Sequence, residues 1–243
     1  MQKELLSVQS AVQEAAASSV SWRQSVRTLA SDRATRQALL ISLGLMVFQQ
    51  LSGINAVVFY SGSIFESSGG GLLSPEAASI IIALVMVLST MCATVLVDKA
   101  GRRPLLLLSA SVMGLCLAAL AASFATTTPP WLPVFSVAVY IVVFSLGFGP
   151  IPWMMVGELF SPAAKSTASA VAACCNWTLA FAVTKFFPTL VGVAGSAGAF
   201  AFFAVVCFVA VVFVAVLLPE TKGKSLEVIQ QQLGGRGKGS SPV

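Results

Sequence analysis

The sequence predicts an all-α membrane protein of six transmembrane helices with both termini in the cytoplasm, and three observations carry that reading. Of 243 residues, 57% are hydrophobic and only 9% charged, whereas a soluble domain carries roughly 25% charged residues. The few charges cut the apolar mass into lengths that suit a bilayer. Of the 14 Lys and Arg residues, all but Lys185 fall on one side of the resulting topology.

Each span follows from an uncharged run. The 29 residues between Arg36 and Glu66, the 21 between Glu76 and Asp98 and the 19 between Lys165 and Lys185 carry no charge, and each run exceeds the roughly 18 residues that mark a spanning helix. They give spans at 38–62, 76–97 and 167–190. The 54 uncharged residues between Arg103 and Glu158 are too many for one crossing of a ~30 Å core at about 1.5 Å per residue. Thr126-Thr127-Thr128-Pro129-Pro130 divides them into spans at 104–125 and 132–156. The 34 residues between Lys185 and Glu220 contain Gly192-Val193-Ala194-Gly195-Ser196-Ala197-Gly198, a loop composition, which leaves a last span at 198–218. The chain therefore divides into a cytoplasmic amphipathic linker segment at 1–37, a six-helix membrane domain at 38–218 and a cytoplasmic tail at 219–243. The tail ends in the composition of a disordered segment.

Orientation follows from the positive residues, which favour the cytoplasmic side. A cytoplasmic N-terminus places Lys3, Arg23, Arg27, Arg33, Arg36, Lys99, Arg102, Arg103, Lys165, Lys222, Lys224, Arg236 and Lys238 inside. The net charge of +5 is then a consequence of topology in a lipid bilayer, and no nucleic-acid partner is needed to explain it. The chain has no histidine and no carboxylate inside a span, so a nucleophile–base pair is missing and enzyme chemistry is not expected. All five cysteines fall within spans and read as small buried apolar side chains. No cofactor and no metal site are expected.

Polar residues inside spans carry the functional signal. The first span holds Gln49-Gln50-Leu51-Ser52-Gly53-Ile54-Asn55. Amides are costly to bury without partners, and these either bond the hydroxyls of a neutral polyhydroxylated ligand or bond a neighbouring helix. Gln50 and Asn55 lie about 140° apart on an ideal helix, so both reach one cavity only if the helix bends, and Ser52-Gly53 offers the bend. In the fourth span, Gly147-Phe148-Gly149-Pro150-Ile151-Pro152 prevents a regular helix. Trp153 directly follows, either stacking on a sugar face or packing at the kink. Asn176-Trp177 in the fifth span poses the same alternatives, whereas Trp131 reads as an interfacial anchor. At the cytoplasmic ends stand Asp98, Arg102, Arg103, Glu158, Lys165 and Glu220. They form either an ion-pair network specific to one arrangement of the helices or loose surface pairs.

These motifs together resemble the C-terminal half of a sugar porter of the major facilitator superfamily, from about Met1 to Gln232. Gln49-Gln50-Leu51-Ser52-Gly53-Ile54-Asn55-Ala56 is similar to the family's seventh-helix motif, and Asp98-Lys99-Ala100-Gly101-Arg102-Arg103 to its loop between helices eight and nine. Gly149-Pro150-Ile151-Pro152-Trp153 resembles helix ten, Glu158-Leu159-Phe160 the loop after it, and Pro219-Glu220-Thr221-Lys222-Gly223 the signature after helix twelve. Asn176-Trp177 followed by Val183-Thr184-Lys185, with Met154-Met155-Val156-Gly157-Glu158, is most similar to insect facilitated trehalose transporters.

The resemblance implies facilitative transport of a neutral sugar, trehalose or a hexose, across the cell membrane by alternating access. It implies that Gln49, Gln50, Asn55, Trp153, Asn176 and Trp177 form the substrate site, that Phe59 and Tyr60 stand at an outer gate, and that Asp98, Arg102, Arg103, Glu158, Lys165 and Glu220 form a cytoplasmic latch. Met86, Ser145 and Ala180 stand where the glucose carriers have polar groups, so glucose recognition does not carry over directly. Family members have two six-helix halves with substrate between them, so the chain is expected to be a truncated form whose missing partner is an N-terminal six-helix half. The alternatives are a non-transporting membrane sugar sensor and a proton-coupled symporter.

Overall fold

The computed structural model describes residues 32–67, 75–129 and 131–235. The linker segment expected before residue 32 and the end of the tail after residue 235 lie outside these residues. Every regular element described is a helix: α1 (Arg33–Leu51), α2 (Ile54–Ser67), α3 (Pro75–Ala100), α4 (Arg102–Ala125), α5 (Trp131–Leu146), α6 (Ile151–Leu159), α7 (Pro162–Leu217) and α8 (Leu226–Gly235). The first helix starts five residues before the expected span because Asp32 caps it, accepting a hydrogen bond from the Thr35 amide at 3.3 Å. Such a cap satisfies one of the N–H groups that a helix start leaves without a partner.

Five stretches are long and apolar enough to cross a membrane: Arg33–Phe59, Ile80–Ala100, Arg102–Ala125, Trp131–Leu159 and Ala164–Leu217. The last has 54 residues, about 80 Å of straight helix at ~1.5 Å per residue. It is not straight. Gly195 has non-helical angles, φ +70 and ψ +167. The Phe187 ring lies 5.9 Å from that of Phe200 and 6.1 Å from that of Phe203, although a straight helix would separate these residues by roughly 20 Å or more. The two arms of α7 therefore fold back on each other. The loop expected over 192–198 is thus corrected to a reversal at one residue, with helix on both sides. Small Gly, Ala and Ser side chains let the arms approach, and so tight a reversal leaves few backbone groups without partners in an apolar setting.

The buried stripe of α1, Ala34, Ala38, Ile41, Ser42, Leu45, Met46, Gln49 and Gln50, repeats at three and four residues and marks one face. It packs against α7, while α4 packs against α7 and α5, and α3 against α5. Outward faces are equally apolar. On α3, Ile80, Leu84, Val87, Leu88, Met91 and Val95 are each more than half exposed, a band that calls for lipid or another protein to cover it. The cysteines follow this all-round hydrophobicity: Cys207 is buried, but Cys92 and Cys174 are exposed, so burial does not hold for all five.

Candidate functional site

Two helix breaks meet in the middle of the bundle. The first separates α1 from α2 at Ser52 and Gly53, where Gly53 takes φ +86. Phe203 leaves no room there for a side chain, since a Cβ on Gly53 would stand 2.7 Å from its ring. Glycine meets both requirements. The second separates α5 from α6 over residues 147–150. A continuous helix would have the Phe148 carbonyl accept from residue 152, but Pro152 has no N–H.

Gln49 supplies the missing donor. Its Nε2 donates to the carbonyls of Phe148 at 2.6 Å and Gly149 at 2.8 Å. Its Oε1 accepts from Asn176 Nδ2 at 2.6 Å, Asn176 Oδ1 accepts from Gln50 Nε2 at 2.9 Å, and Gln50 Oε1 accepts from Asn55 Nδ2. Four amides thus form one directional chain across α1, α2, the first arm of α7 and the α5–α6 break. The bend at Ser52-Gly53 is what brings Asn55 back to Gln50. Gln49, Gln50 and Asn176 are buried and Asn55 is half-buried, and their hydrogen bonds to one another offset the cost of that burial.

Two side chains that the sequence did not single out support this arrangement. The Tyr140 hydroxyl, on the buried face of α5, donates to the Ser52 carbonyl at 3.0 Å and lies 3.2 Å from Ser52 Oγ, which donates to the Gln49 carbonyl at 2.7 Å. Ser109 Oγ, on α4, donates to the Val143 carbonyl at 2.7 Å and accepts from the Phe148 amide at 3.4 Å. One signal for Tyr140 was available: the chain has only two tyrosines, and this one sits in mid-span, where a hydroxyl needs a partner.

The aromatic candidates stand on the outside of this chain. Trp153 is 42% exposed and Trp177 70%. Asn176 and Trp177 are neighbours about 100° apart around the helix, so one enters the bundle while the other faces out. Phe59 is exposed at the end of the first apolar stretch, and the side chain of Tyr60 lies outside the described residues.

The charged candidates gather at the other end of α4. Arg102 places Nε 3.0 Å and Nη2 2.9 Å from Glu158 Oε1, with Nη2 also 3.2 Å from Asp98 and Nη1 donating to the Val97 carbonyl. Thr221 Oγ1 donates to the second oxygen of Glu158. Glu220 caps α4, accepting from the amides of Arg102 at 3.1 Å and Arg103 at 3.0 Å, and from those of Thr221 and Lys222 at 2.9 Å. Partial burial pushes the Glu220 carboxyl up, but these four backbone donors outweigh it and leave the pKa below its ordinary 4.5. Gly101, at φ +92, gives Glu220 this access, since a Cβ there would lie 2.8 Å from its carboxylate. Arg103 joins through its backbone and donates from Nη2 to the Ala215 carbonyl at 2.6 Å. Lys165 stays apart: it is exposed and forms no ion pair with any described residue, its Nζ instead lying close to Gly157.

Comparison with known proteins follows the same lines. The chain is 44% identical over 218 residues to the facilitated trehalose transporter Tret1 of Drosophila mojavensis, covering 87% of this chain and 25% of that protein. It is 45% identical over 203 residues to Tret1 of Bombyx mori, covering 81% and 40%. It therefore spans a quarter to two fifths of the length of these curated relatives. Among solved structures, a double tryptophan mutant of XylE matches with a TM-score of 0.75 at 27% identity, over 81% of this chain and 43% of that one. XylE bound to 6-bromo-6-deoxy-D-glucose, described as a major facilitator superfamily proton:xylose symporter, matches with a TM-score of 0.72 at 28% identity, over 80% and 42%. The family described as "Sugar (and other) transporter" matches residues 1–233, and with nearly the whole sequence matched to it, the chain belongs to that family.

Proposed function

We propose that this chain supplies the second six-helix half of a facilitative carrier that moves a neutral sugar, trehalose or a hexose, across the cell membrane by alternating access. One observation carries the reading: a neutral chain of amides joins two helix breaks in mid-bundle, and an exposed tryptophan follows it on each of two helices. Amides match sugar hydroxyls without placing a charge in the membrane, and indole faces suit the C–H faces of a sugar ring. The relatives described as facilitated trehalose transporters support trehalose as substrate.

In this reading the two arms of α7 cross separately, which makes six crossings and returns both ends to the cytoplasmic side favoured by the positive residues. Gln49, Gln50, Asn55, Asn176, Trp153 and Trp177 form the substrate site and Phe59 and Tyr60 the outer gate. The network of Asp98, Arg102, Arg103, Glu158 and Glu220, with Lys165 at its edge, is the latch of one transport state. Alternating access requires an N-terminal six-helix half to rock against, in the same polypeptide or as a second chain. The XylE neighbour is a proton symporter; the acidic groups placed in the network here, Asp98, Glu158 and Glu220, lie at helix ends, where a carboxylate stabilises one arrangement of the helices.

Uptake of radiolabelled trehalose and glucose into vesicles that hold this chain together with an N-terminal half, with and without an inward proton gradient, tests the reading. Saturable trehalose uptake driven by the sugar gradient alone is expected. Accumulation that needs the proton gradient would make the carrier a symporter, and sugar binding without uptake would make it a sensor.

A further inference from the structure

We infer that Ala180 and Thr184, on the first arm of α7, form a second sugar subsite that takes the far ring of a disaccharide. The inference rests on the sugar-transport reading above and deepens it, since a single hexose ring cannot span both subsites.

Placement on the helix leads there. Asn176 and Trp177 bound one sector of α7, with the amide buried on its bundle side and the indole exposed on its open side. At about 100° and ~1.5 Å per residue, Ala180 and Thr184 fall roughly 40° and 80° around from Asn176, inside that sector. They stand ~6 Å and ~12 Å along the axis from Asn176, toward the reversal at Gly195 and away from the ionic cluster. The face that carries an amide and an indole therefore continues as a methyl group and then a hydroxyl. Both residues are half-buried, and Phe181, 67% exposed, borders them on the Trp177 side. Alanine at 180 leaves room that a longer side chain would fill.

Thr184 brings two free polar groups to the end of this track. Thr90, Thr94 and Thr126 spend their hydroxyls on carbonyls three or four residues back in their own helices. Among the described residues none bonds the hydroxyl of Thr184. Its carbonyl is freed as well. In a regular helix that oxygen accepts from residue 188, but Pro188, inside the helix, has no N–H to give. A carbonyl opened in this way within an apolar span calls for a polar partner or a water-filled cavity. The hydroxyl donates and accepts and the carbonyl accepts, a pair that suits the hydroxyls of a sugar ring. Thr178 also keeps its hydroxyl free, but it lies about 100° beyond Trp177, outside the sector, and residue 182 has an N–H for its carbonyl. With one ring of trehalose at the amides and Trp177, the second ring passes over Ala180 and lies against Phe181, its hydroxyls at Thr184.

The experiment compares trehalose with methyl α-glucoside, which keeps one ring and its α-linked oxygen but lacks the second ring. Both compete against uptake of radiolabelled trehalose by this chain together with an N-terminal half, at matched surface expression, and uptake of radiolabelled glucose is measured alongside. The unmodified carrier is expected to bind trehalose about tenfold more tightly than the glucoside, or better, from the hydrogen bonds of the second ring. Thr184→Val keeps the shape, removes the hydroxyl and should cut that preference by about threefold to tenfold. Ala180→Leu fills the space and should abolish the preference. Pro188→Ala returns an N–H to the Thr184 carbonyl and should lower the preference by about threefold, which guards against a packing defect peculiar to either of the other variants. Thr178→Val, outside the sector, should leave it where it was.

If Thr184→Val and Ala180→Leu weaken both sugars alike, these residues serve the first ring or the fold, and the inference is overturned while sugar transport stands. The same follows if the unmodified carrier binds the glucoside as well as trehalose, if it takes up glucose but no trehalose, or if Thr178→Val lowers the preference as far as Thr184→Val does. Absence of any sugar-competable uptake of either labelled sugar overturns the transport reading, and the inference with it.

Discussion

Gly53 and Gly101 mark two places where a helix ends on a left-handed residue, at φ +86 and +92, and a polar network gathers around each. At Gly53, in mid-bundle, the network is neutral, mostly buried and runs through amides from Asn55 to the backbone carbonyls of Phe148 and Gly149. At Gly101, at one end of the bundle, it is ionic, with Arg102 12% exposed, Glu158 26% and Asp98 73%. An uncompensated charge in a membrane interior costs far more than an amide, which is why the ionic network lies at the helix ends, within reach of water. The contrast teaches that the first network is governed by shape and hydrogen-bond direction, and the second by charge.

The largest expected effect breaks the first network through its glycine. Gly53→Ala forces a left-handed alanine, a strain of about 1–3 kcal/mol, and drives Cβ to within 2.7 Å of the Phe203 ring. That ring cannot withdraw easily, because it packs against Phe187 at 6.1 Å and Phe202 at 5.5 Å. A loss of about 3 kcal/mol or more is expected once overpacking is added to strain, read as a lowered melting temperature in detergent. Gly101→Ala carries similar strain, but the clashing atom is the mobile end of a carboxylate. It should cost visibly less; equal losses would remove the distinction between a rigid and a yielding neighbour.

Next in size is Arg102→Ala. It removes both contacts to Glu158, one to Asp98 and one to the Val97 carbonyl. A loss of about 2 kcal/mol is expected, between the values for exposed and buried pairs. In a completed carrier the loss should appear as a shifted balance of inward- and outward-facing states. Unchanged accessibility of a cysteine introduced on the outer side would show that the network is surface decoration and not a latch.

The two networks were not equally legible in the sequence. Charge spacing marked the spans, and Pro150-Pro152 and Ser52-Gly53 marked both breaks, since each removes a donor or a conformational restraint that can be read locally. Less visible was which face of each helix meets which neighbour. In a soluble helix a polar side exposes that choice, but here Leu106 and Leu117 are buried while Leu108 and Leu115 on the same helix are exposed, and all four look alike in sequence. Hence the amides could be assigned to polar partners but not to the order Asn55, Gln50, Asn176, Gln49, and Tyr140 and Ser109 were missed as partners. The run at 192–198 looked like a loop because glycine frequency does not tell a loop from a close-packed reversal. Lys165, one turn into α7, shared a sign and a neighbourhood with the ionic cluster without sharing its contacts.

Tyr140→Phe tests how far the amide network depends on a residue outside it. The hydroxyl is the one described side-chain donor to the Ser52 carbonyl at the α1–α2 break, while Ser52 Oγ retains its bond to the Gln49 carbonyl. Loss of one buried hydrogen bond with a carbonyl left behind should cost about 1 kcal/mol, measured by thermal unfolding, with little volume change to confuse the reading. If the break is held by Phe203 packing alone, the variant melts with the parent protein.

The smallest effect separates the networks by pH. No group in the amide chain titrates, so the stability difference between Tyr140→Phe and the parent should stay level from neutral to mildly acid pH. Glu220 does titrate, and its backbone donors hold its pKa below 4.5 in the folded chain. The unfolded chain therefore takes up the proton first as pH falls, and stability from this carboxylate is fully present above 4.5 and lost as pH drops through the lowered folded value. The advantage of the parent over Glu220→Gln should be constant between pH 8 and 5.5 and shrink below about 4.5, measured as the difference in melting temperature between the two proteins across a buffer series. A difference that grew on acidification would mean that the carboxylate is strained by burial and not stabilised by the helix start it caps, and the ionic network would then have to be held by Arg102 and Glu158 alone.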